Sequence, residues 1–185
     1  MTLWINGCMR ENSRTKELAQ VVLAALGDEV TEVCLHRACP EGLNPETLAL
    51  RNELLQQGAL EHPMFALAHQ FAVADTIVVA APYWDLLFPA AVRAYFETIT
   101  VGGITFQYDD HGIPHGLCRA KKLIYVTTAG GPIVHNFGFE YVDALAHGFY
   151  GIPQTHCIKA EGLDIFGADV AAIMAQAKAT VQELM

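Results

Sequence analysis

The sequence predicts an α/β fold: a five-stranded parallel sheet in the order 2-1-3-4-5, with helices on both faces to make a three-layer sandwich. Three observations predict it. Strand-like and helix-like segments alternate along the chain. Most of the strand-like runs are apolar throughout, as in strands covered on both faces. The length of 185 residues suffices for one full hydrophobic core and is short for two, so a single domain over residues 1–185 is expected. No internal repeat, linker or low-complexity segment divides it.

The elements follow in order. Thr2 to Asn6 is a short apolar run that ends at Gly7 and a polar loop. From Lys16 onward, Leu18, Val21, Val22 and Ala25 fall on one helical face, and Gly27 ends that helix. Glu29 to Leu35 alternates as a second strand, and Pro45 to Val73 reads as one long helix or two broken at Pro63. Thr76 to Ala81 is the third strand, followed by a helical stripe of Phe88, Val92, Tyr95, Phe96 and Ile99. The rhythm then breaks: Ile104–Tyr108, an Asp-Asp-His-Gly turn and Ile113–Leu117 read as a hairpin excursion. Leu123 to Thr127 is the fourth strand and Gln154 to Lys159 the fifth. Tyr141, Ala144, Leu145 and Gly148 suggest a helix face between them, and Val170, Ile173, Met174, Ala177 and Val181 a final amphipathic helix.

Composition removes several function classes. A formal charge of -9 with no block of Lys or Arg argues against nucleic acid as a partner. Five cysteines, an odd number without a CxxC pair, suit a reducing compartment better than a disulfide framework. MTLWINGCMR lacks the basic and apolar regions of a signal peptide. The longest apolar run, Phe71 to Trp84, is interrupted by Asp75 and falls short of the ~20 residues a membrane span needs. A cytoplasmic protein that does not engage membranes is expected.

In an open α/β sheet, ligands bind outside the carboxyl ends of the strands near the switch in strand order. The loops after strands one, three and four are therefore the candidates. The first, from Gly7 to Thr15, leads into a helix whose free N–H groups and dipole favour an anion. Asn12 or Ser13 can cap it, Ser13 and Thr15 add hydroxyls, and Arg10 and Arg14 add charge; plain capping with solvated arginines is the competing reading. Neither GxGxxG nor GxxxxGK[ST] is present, which argues against dinucleotide and P-loop chemistry.

The loop after the third strand, APYWDLLFP, carries many large apolar side chains for a surface connection. Leu87, Phe88 and Pro89 are read as local core, whereas Tyr83 and Trp84 stand where a ligand would lie. The loop after the fourth strand, TTAGGP from Thr127 to Pro132, has two glycines that allow close approach to a planar group, or simply a tight turn. Together the three loops supply an anion cradle, an aromatic wall and a close-approach turn.

In these residues the chain resembles the flavodoxin-fold NAD(P)H:quinone oxidoreductases and FMN-dependent azoreductases. The resemblance rests on NSRT, APYW…PAAVRAYFE, VGGITFQY…GL, TTAGG and YGI…AEGL, in that order along most of the chain. It implies a flavodoxin-like fold with FMN as cofactor, in preference to FAD given the compact stretch from Leu43 to Pro63, and NAD(P)H as electron donor. Ser13, Arg14 and Thr15, with Arg10, would hold the FMN phosphate. Pro82, Tyr83, Trp84, Asp85 and Leu86 would run along the flavin ring edge, and Thr128, Gly130 and Gly131 would contact the ring from the other loop. The resemblance further implies a homodimer with active sites at the subunit interface, the excursion from Gly103 to Leu117 helping to cover the partner's flavin. Azoreductases often carry Asn where this chain has Asp85, and a carboxylate there would lower the flavin potential or exclude anionic substrates.

The implied reaction is a two-electron ping-pong reduction of a small flat acceptor such as a quinone, azo dye or nitroaromatic. His135, just beyond the glycine turn, is a candidate proton donor to the reduced acceptor, against the reading of a surface histidine. No metal site is expected: His111 and His115 beside Asp109 and Asp110 read as solvated loop residues. Cys8 reads as a buried structural thiol. Two rivals remain, a flavodoxin-like electron carrier that docks to protein partners and a flavin-free interaction module.

Overall fold

The computed structural model describes residues 1–184. Five parallel strands form the sheet: β1 (Thr2–Asn6), β2 (Val30–Cys34), β3 (Thr76–Ala80), β6 (Lys122–Thr128) and β7 (Gln154–Ala160). Their order, β2-β1-β3-β6-β7, is the predicted one once the two strands of the excursion, β4 (Phe106–Tyr108) and β5 (Pro114–Gly116), are set aside. The helices are α1 (Arg14–Leu26), α2 (Pro45–Gln56), α3 (Ala66–Ala72), α4 (Ala90–Ile99), α5 (Phe137–Leu145) and α6 (Val170–Leu184). The segment is two helices, but the break begins before Pro63: α2 ends at Gln56, and turns over residues 57–62 lead into a 3-10 turn, Pro63–Phe65, ahead of α3.

Alternation along each strand sorts side chains into two cores. Leu3, Ile5, Ile77, Val79, Leu123 and Tyr125 face one side, where they meet Phe71 of α3, Val92, Tyr95 and Phe96 of α4, and Val142 of α5. Trp4, Val78, Ile124 and Val126 face the other, against Leu18 and Val22 of α1 and Met174, Ala177 and Val181 of α6. The stripe predicted for α4 is buried at every position. Strand β2, at the sheet edge, keeps polar Thr31 and Glu32 and only Val33 is fully covered, which protects an otherwise open hydrogen-bonding edge.

Two expectations change. The buried face of the fifth helical segment is Gly138, Val142, Ala146 and Tyr150, rather than the face of Ala144 and Gly148, both of which are exposed. Gly138 belongs to it because a Cβ there would lie 2.5 Å from the Tyr125 hydroxyl, and residues Ala146–Tyr150 continue α5 as a π-helical turn that shifts the phase. In α1, Ala25 is exposed, and Ala19 and Leu23 join the buried face instead.

The β4–β5 hairpin follows the C-terminus of α4 and leads into the start of β6, so it lies at the opposite end of the sheet from the strand carboxyl ends. It docks on the π-helical turn: a Cβ on Gly116 would sit 2.1 Å from both the Tyr150 carbonyl carbon and the Gly151 nitrogen. Because those neighbours are backbone, Gly116→Ala is expected to cost about 3 kcal/mol, at the upper end of overpacking penalties, by urea titration.

Candidate active site

Three connections leave the carboxyl ends of β1, β3 and β6 side by side, and each is held by identifiable bonds. Asn6, the last residue of β1, is fully buried; its amide donates to Glu32 at 2.7 Å and its carbonyl oxygen accepts the Cys8 N–H at 3.0 Å. Cys8 is buried, and burial pushes its thiol up to about 11, outweighing the Ser13 hydroxyl beside it. It is therefore a protonated structural residue at neutral pH, as the sequence suggested. Ser13 is the N-cap of α1, its hydroxyl oxygen accepting the Lys16 N–H at 3.3 Å. An accepting hydroxyl keeps its own hydrogen free to donate, so capping and anion binding are compatible. The amides of Arg14 and Thr15, in the first turn, have no carbonyl within the helix to bond.

Thr15 is buried and its hydroxyl pairs with that of Thr128 at 2.7 Å. Of the two hydroxyl hydrogens one is consumed between them, which leaves a single donor from the pair rather than two. The Arg14 guanidinium spans to the loop after β7, where Nη1 donates to Asp164 at 2.9 Å and to the Leu163 carbonyl at 3.4 Å.

The loop after β3 divides as its side chains do. Phe88 and Pro89 are buried, Phe88 lying edge-on to Tyr141 at 5.7 Å, and Leu87 packs partly against the core. Trp84 and Leu86 are 40% and 47% exposed. Trp84 and Leu87 exchange backbone hydrogen bonds of 3.0 and 2.8 Å around Asp85 and Leu86, which adopt φ of 50° and 70°. Two positive φ values in succession make this a type I′ turn, a conformation that usually recruits Asn or Gly and is strained for leucine. Tyr83 ties the turn to the neighbouring loop, its N–H donating to the Thr128 carbonyl at 3.0 Å and its hydroxyl to the His135 carbonyl at 2.9 Å.

In the loop after β6, Gly130 makes a close contact with the protein itself. A Cβ there would lie 2.3 Å from an Asp164 carboxylate oxygen, while the Asp164 N–H donates to the Gly130 carbonyl at 2.8 Å. Gly131 faces open space, its carbonyl accepting the Gly162 N–H at 3.0 Å.

These loops enclose a cleft of about 270 Å³. Of the predicted residues, Arg10, Ser13, Arg14, Thr15, Pro82, Tyr83, Trp84, Thr128 and Gly130 line it. Asp85 and Leu86 form the exposed tip of the turn beside it, and Gly131 lies just outside. The His135 ring is also outside the lining, exposed and stacked on Phe137 at 5.4 Å. Asn12, a candidate cap in the sequence, also lines the cleft, as do Met9, Ala129, Leu163 and Asp164, which the sequence does not mark as site residues. The last two come from the loop after β7, a fourth carboxyl-end connection, where AEGL carries the family resemblance without a local pattern that marks a site.

Elsewhere, Asp109 serves the hairpin turn. One oxygen accepts the N–H groups of His111 and Ile113 at 2.8 and 2.9 Å, and the other meets His115 at 2.9 Å. Among the described residues no group of three His, Cys, Asp or Glu side chains is arranged to hold a metal ion, and no helix is long and apolar enough to cross a membrane.

A family model described as a flavodoxin-like fold matches residues 1–185. The chain belongs to the flavodoxin-like family. Within it, this flavodoxin-like protein is 37% identical over 154 residues to an FMN-dependent NADH:quinone oxidoreductase of Lachnoclostridium phytofermentans, covering 82% of this chain and 77% of the relative. It is 36% identical over 153 residues to FMN-dependent NADH:quinone oxidoreductase 2 of Clostridium acetobutylicum, covering 80% and 75%. The crystal structure of an azoreductase from Bacillus anthracis superposes with a TM-score of 0.85 over 99% of this chain and 97% of the other; at 21% identity this is a likeness of fold.

Two substitutions test the division of labour in the loop after β3. Leu86→Gly removes the αL penalty at some cost in unfolded-state entropy, so a gain of about 0.5–1 kcal/mol is expected in the cofactor-free protein. Trp84→Ala is expected to cost about 1 kcal/mol by the same urea titration, well below the roughly 3–5 kcal/mol of a buried tryptophan.

Proposed function

We propose that this chain is an FMN-dependent oxidoreductase that takes electrons from NADH or NADPH and reduces small flat acceptors of the quinone or azo class. The observation that carries the reading is the convergence of an anion-binding helix N-terminus, an exposed tryptophan and two hydrogen-bonded loops on one cleft at the switch point of the sheet. The relatives' names supply the cofactor and the donor, and they favour an enzyme over an electron carrier.

The donor set fits a phosphate monoester. The Ser13 hydroxyl, the amides of Arg14 and Thr15, one hydroxyl hydrogen of the Thr15–Thr128 pair and the Arg10 and Arg14 guanidiniums offer neutral and charged donors to one dianion. Pro82, Tyr83 and Trp84 would border the flavin ring, with the backbone of Asp85 and Leu86 at its edge and Thr128, Gly130 and Gly131 on the opposite loop. FMN held there supplies the two-electron chemistry. The protein's part is to orient the ring, keep one face open and hold its phosphate; His135, exposed and outside the cleft lining, would reach an acceptor only above the mouth.

Trp84, Leu86, Val134, Ile165 and Phe166 on the carboxyl-end loops, with Phe137 at the start of α5, are large exposed apolar residues around or near the cleft. A homodimer would cover them. The β4–β5 hairpin lies at the far end of the sheet and would reach a cleft only in a second copy. A cytoplasmic setting is consistent with five unpaired thiols.

Titration with FMN and with riboflavin, which has the ring but no phosphate, tests the reading. Arg14→Ala is expected to weaken FMN by about tenfold or more while leaving riboflavin unchanged. NADH or NADPH is expected to bleach the wild-type holoprotein under nitrogen in a two-electron step. A protein that binds no FMN overturns the cofactor assignment; bleaching only by a protein reductase favours the carrier.

A further inference from the structure

Asp164 joins three of the connections around the cleft. Its carboxylate accepts a hydrogen bond from Arg14 Nη1 at 2.9 Å, its own N–H donates to the Gly130 carbonyl at 2.8 Å, and its side chain occupies the space that a Cβ on Gly130 would need. The Leu163 carbonyl takes a second hydrogen bond from the same Arg14 nitrogen, at 3.4 Å. Arg14 is therefore gripped through Nη1 alone. A guanidinium carries five N–H donors in a rigid plane, so Nη2 and Nε retain theirs. Both residues line the cleft.

We propose that Asp164 is a positioning residue for the phosphate group: it holds Arg14 by one nitrogen so that the remaining fork is set for the cofactor's phosphate before the cofactor arrives. This rests on the FMN reading above. An arginine free in solvent has rotamer freedom that binding must remove, whereas a tethered one has already lost part of it. The ion pair is solvent-exposed on both sides, with side chains 41% and 69% accessible, so its own contribution to folding is small and its removal leaves a folded protein. The opposing force is charge repulsion between the carboxylate and a phosphate dianion. Pairing with Arg14 offsets much of that repulsion at short range, and solvent screens the rest.

The two forces predict opposite results in one experiment, the dissociation constants of FMN and riboflavin measured by flavin fluorescence for wild type, Asp164→Ala, Asp164→Asn, Arg14→Ala and the Arg14→Ala/Asp164→Ala pair. Asp164→Ala is expected to weaken FMN about threefold to tenfold, the value of returned arginine freedom, with riboflavin unchanged. Asp164→Asn, which keeps an accepting oxygen, is expected to lose less. In the Arg14→Ala background Asp164→Ala is expected to cause no further loss, since it acts through Arg14. Unchanged or tighter FMN binding in Asp164→Ala overturns the proposal, as does an equal loss of riboflavin or a loss that persists without Arg14. Wild-type protein that binds neither flavin overturns the cofactor reading and this inference together, a result distinct from normal wild-type binding with an unaltered Asp164→Ala.

Discussion

The cleft depends on the parallel register of β1, β3 and β6, and Gly7 is where that register meets α4 most directly. Its N–H donates to the Ala80 carbonyl at 2.8 Å, extending the ladder one residue past β1. A Cβ there would lie 2.5 Å from Val92 of α4 and 3.1 Å from the Ala80 oxygen, so only glycine lets the helix approach this closely. The chain must leave the sheet at this level, where Ala80 pairs with Val126 and the Ala81 N–H donates to the Val126 carbonyl at 3.0 Å. β1 and β3 end level with Val126 and β6 runs on to Thr128, so the loops beyond them emerge side by side. Cleft geometry is in this sense a by-product of sheet packing and needs no separate scaffold.

The loop after β3 shows how a strained segment is retained. Holding Leu86 in the left-handed region costs about 1–2 kcal/mol. Two positions later Phe88 is buried between α4 and α5, against Phe96 and Tyr141, which contributes roughly 2–3 kcal/mol by area alone. The anchor thus offsets the strain, and Tyr83 fastens the other end of the turn to the loop after β6. The apolar richness that makes APYWDLLFP look unlike a surface loop has two physical sources: part of it is core, and part is a hydrogen-bonded exposed turn whose Tyr83 and Trp84 line the cleft.

What the sequence discloses follows what each residue type can signal. Alternation of elements and the apolar strands disclose the sheet order, and the α4 stripe is unambiguous because every buried position is large and apolar. The α5 face is hidden because it includes Gly138 and Ala146, which carry little hydrophobic signal, and because the π-helical turn breaks the period. Within the site, hydroxyls and arginines before a helix are a local pattern that can be read directly. Asp164 is not, because an acidic residue in a loop looks like any solvated carboxylate. Its proposed role depends on a contact with Arg14 across 150 positions, which the sheet order β1-β3-β6-β7 makes possible.

That long-range contact also bears on how a chain of net charge -9 would attract the phosphate of the proposed cofactor. The overall field is unfavourable, but charges more than about 8 Å away are largely screened at physiological ionic strength. Near the head of α1 the balance is set by Arg10, Arg14 and Lys16, the free amides of the first turn and a few hydroxyls, against the carboxylates of Asp164, Glu11 and Glu17. Amides and hydroxyls carry no net charge and suffer little from salt, whereas guanidiniums do. A site built from both would keep part of a hold on phosphate when ions weaken the rest. The acidic surplus is then free to sit elsewhere on the surface without erasing the local preference at the helix terminus.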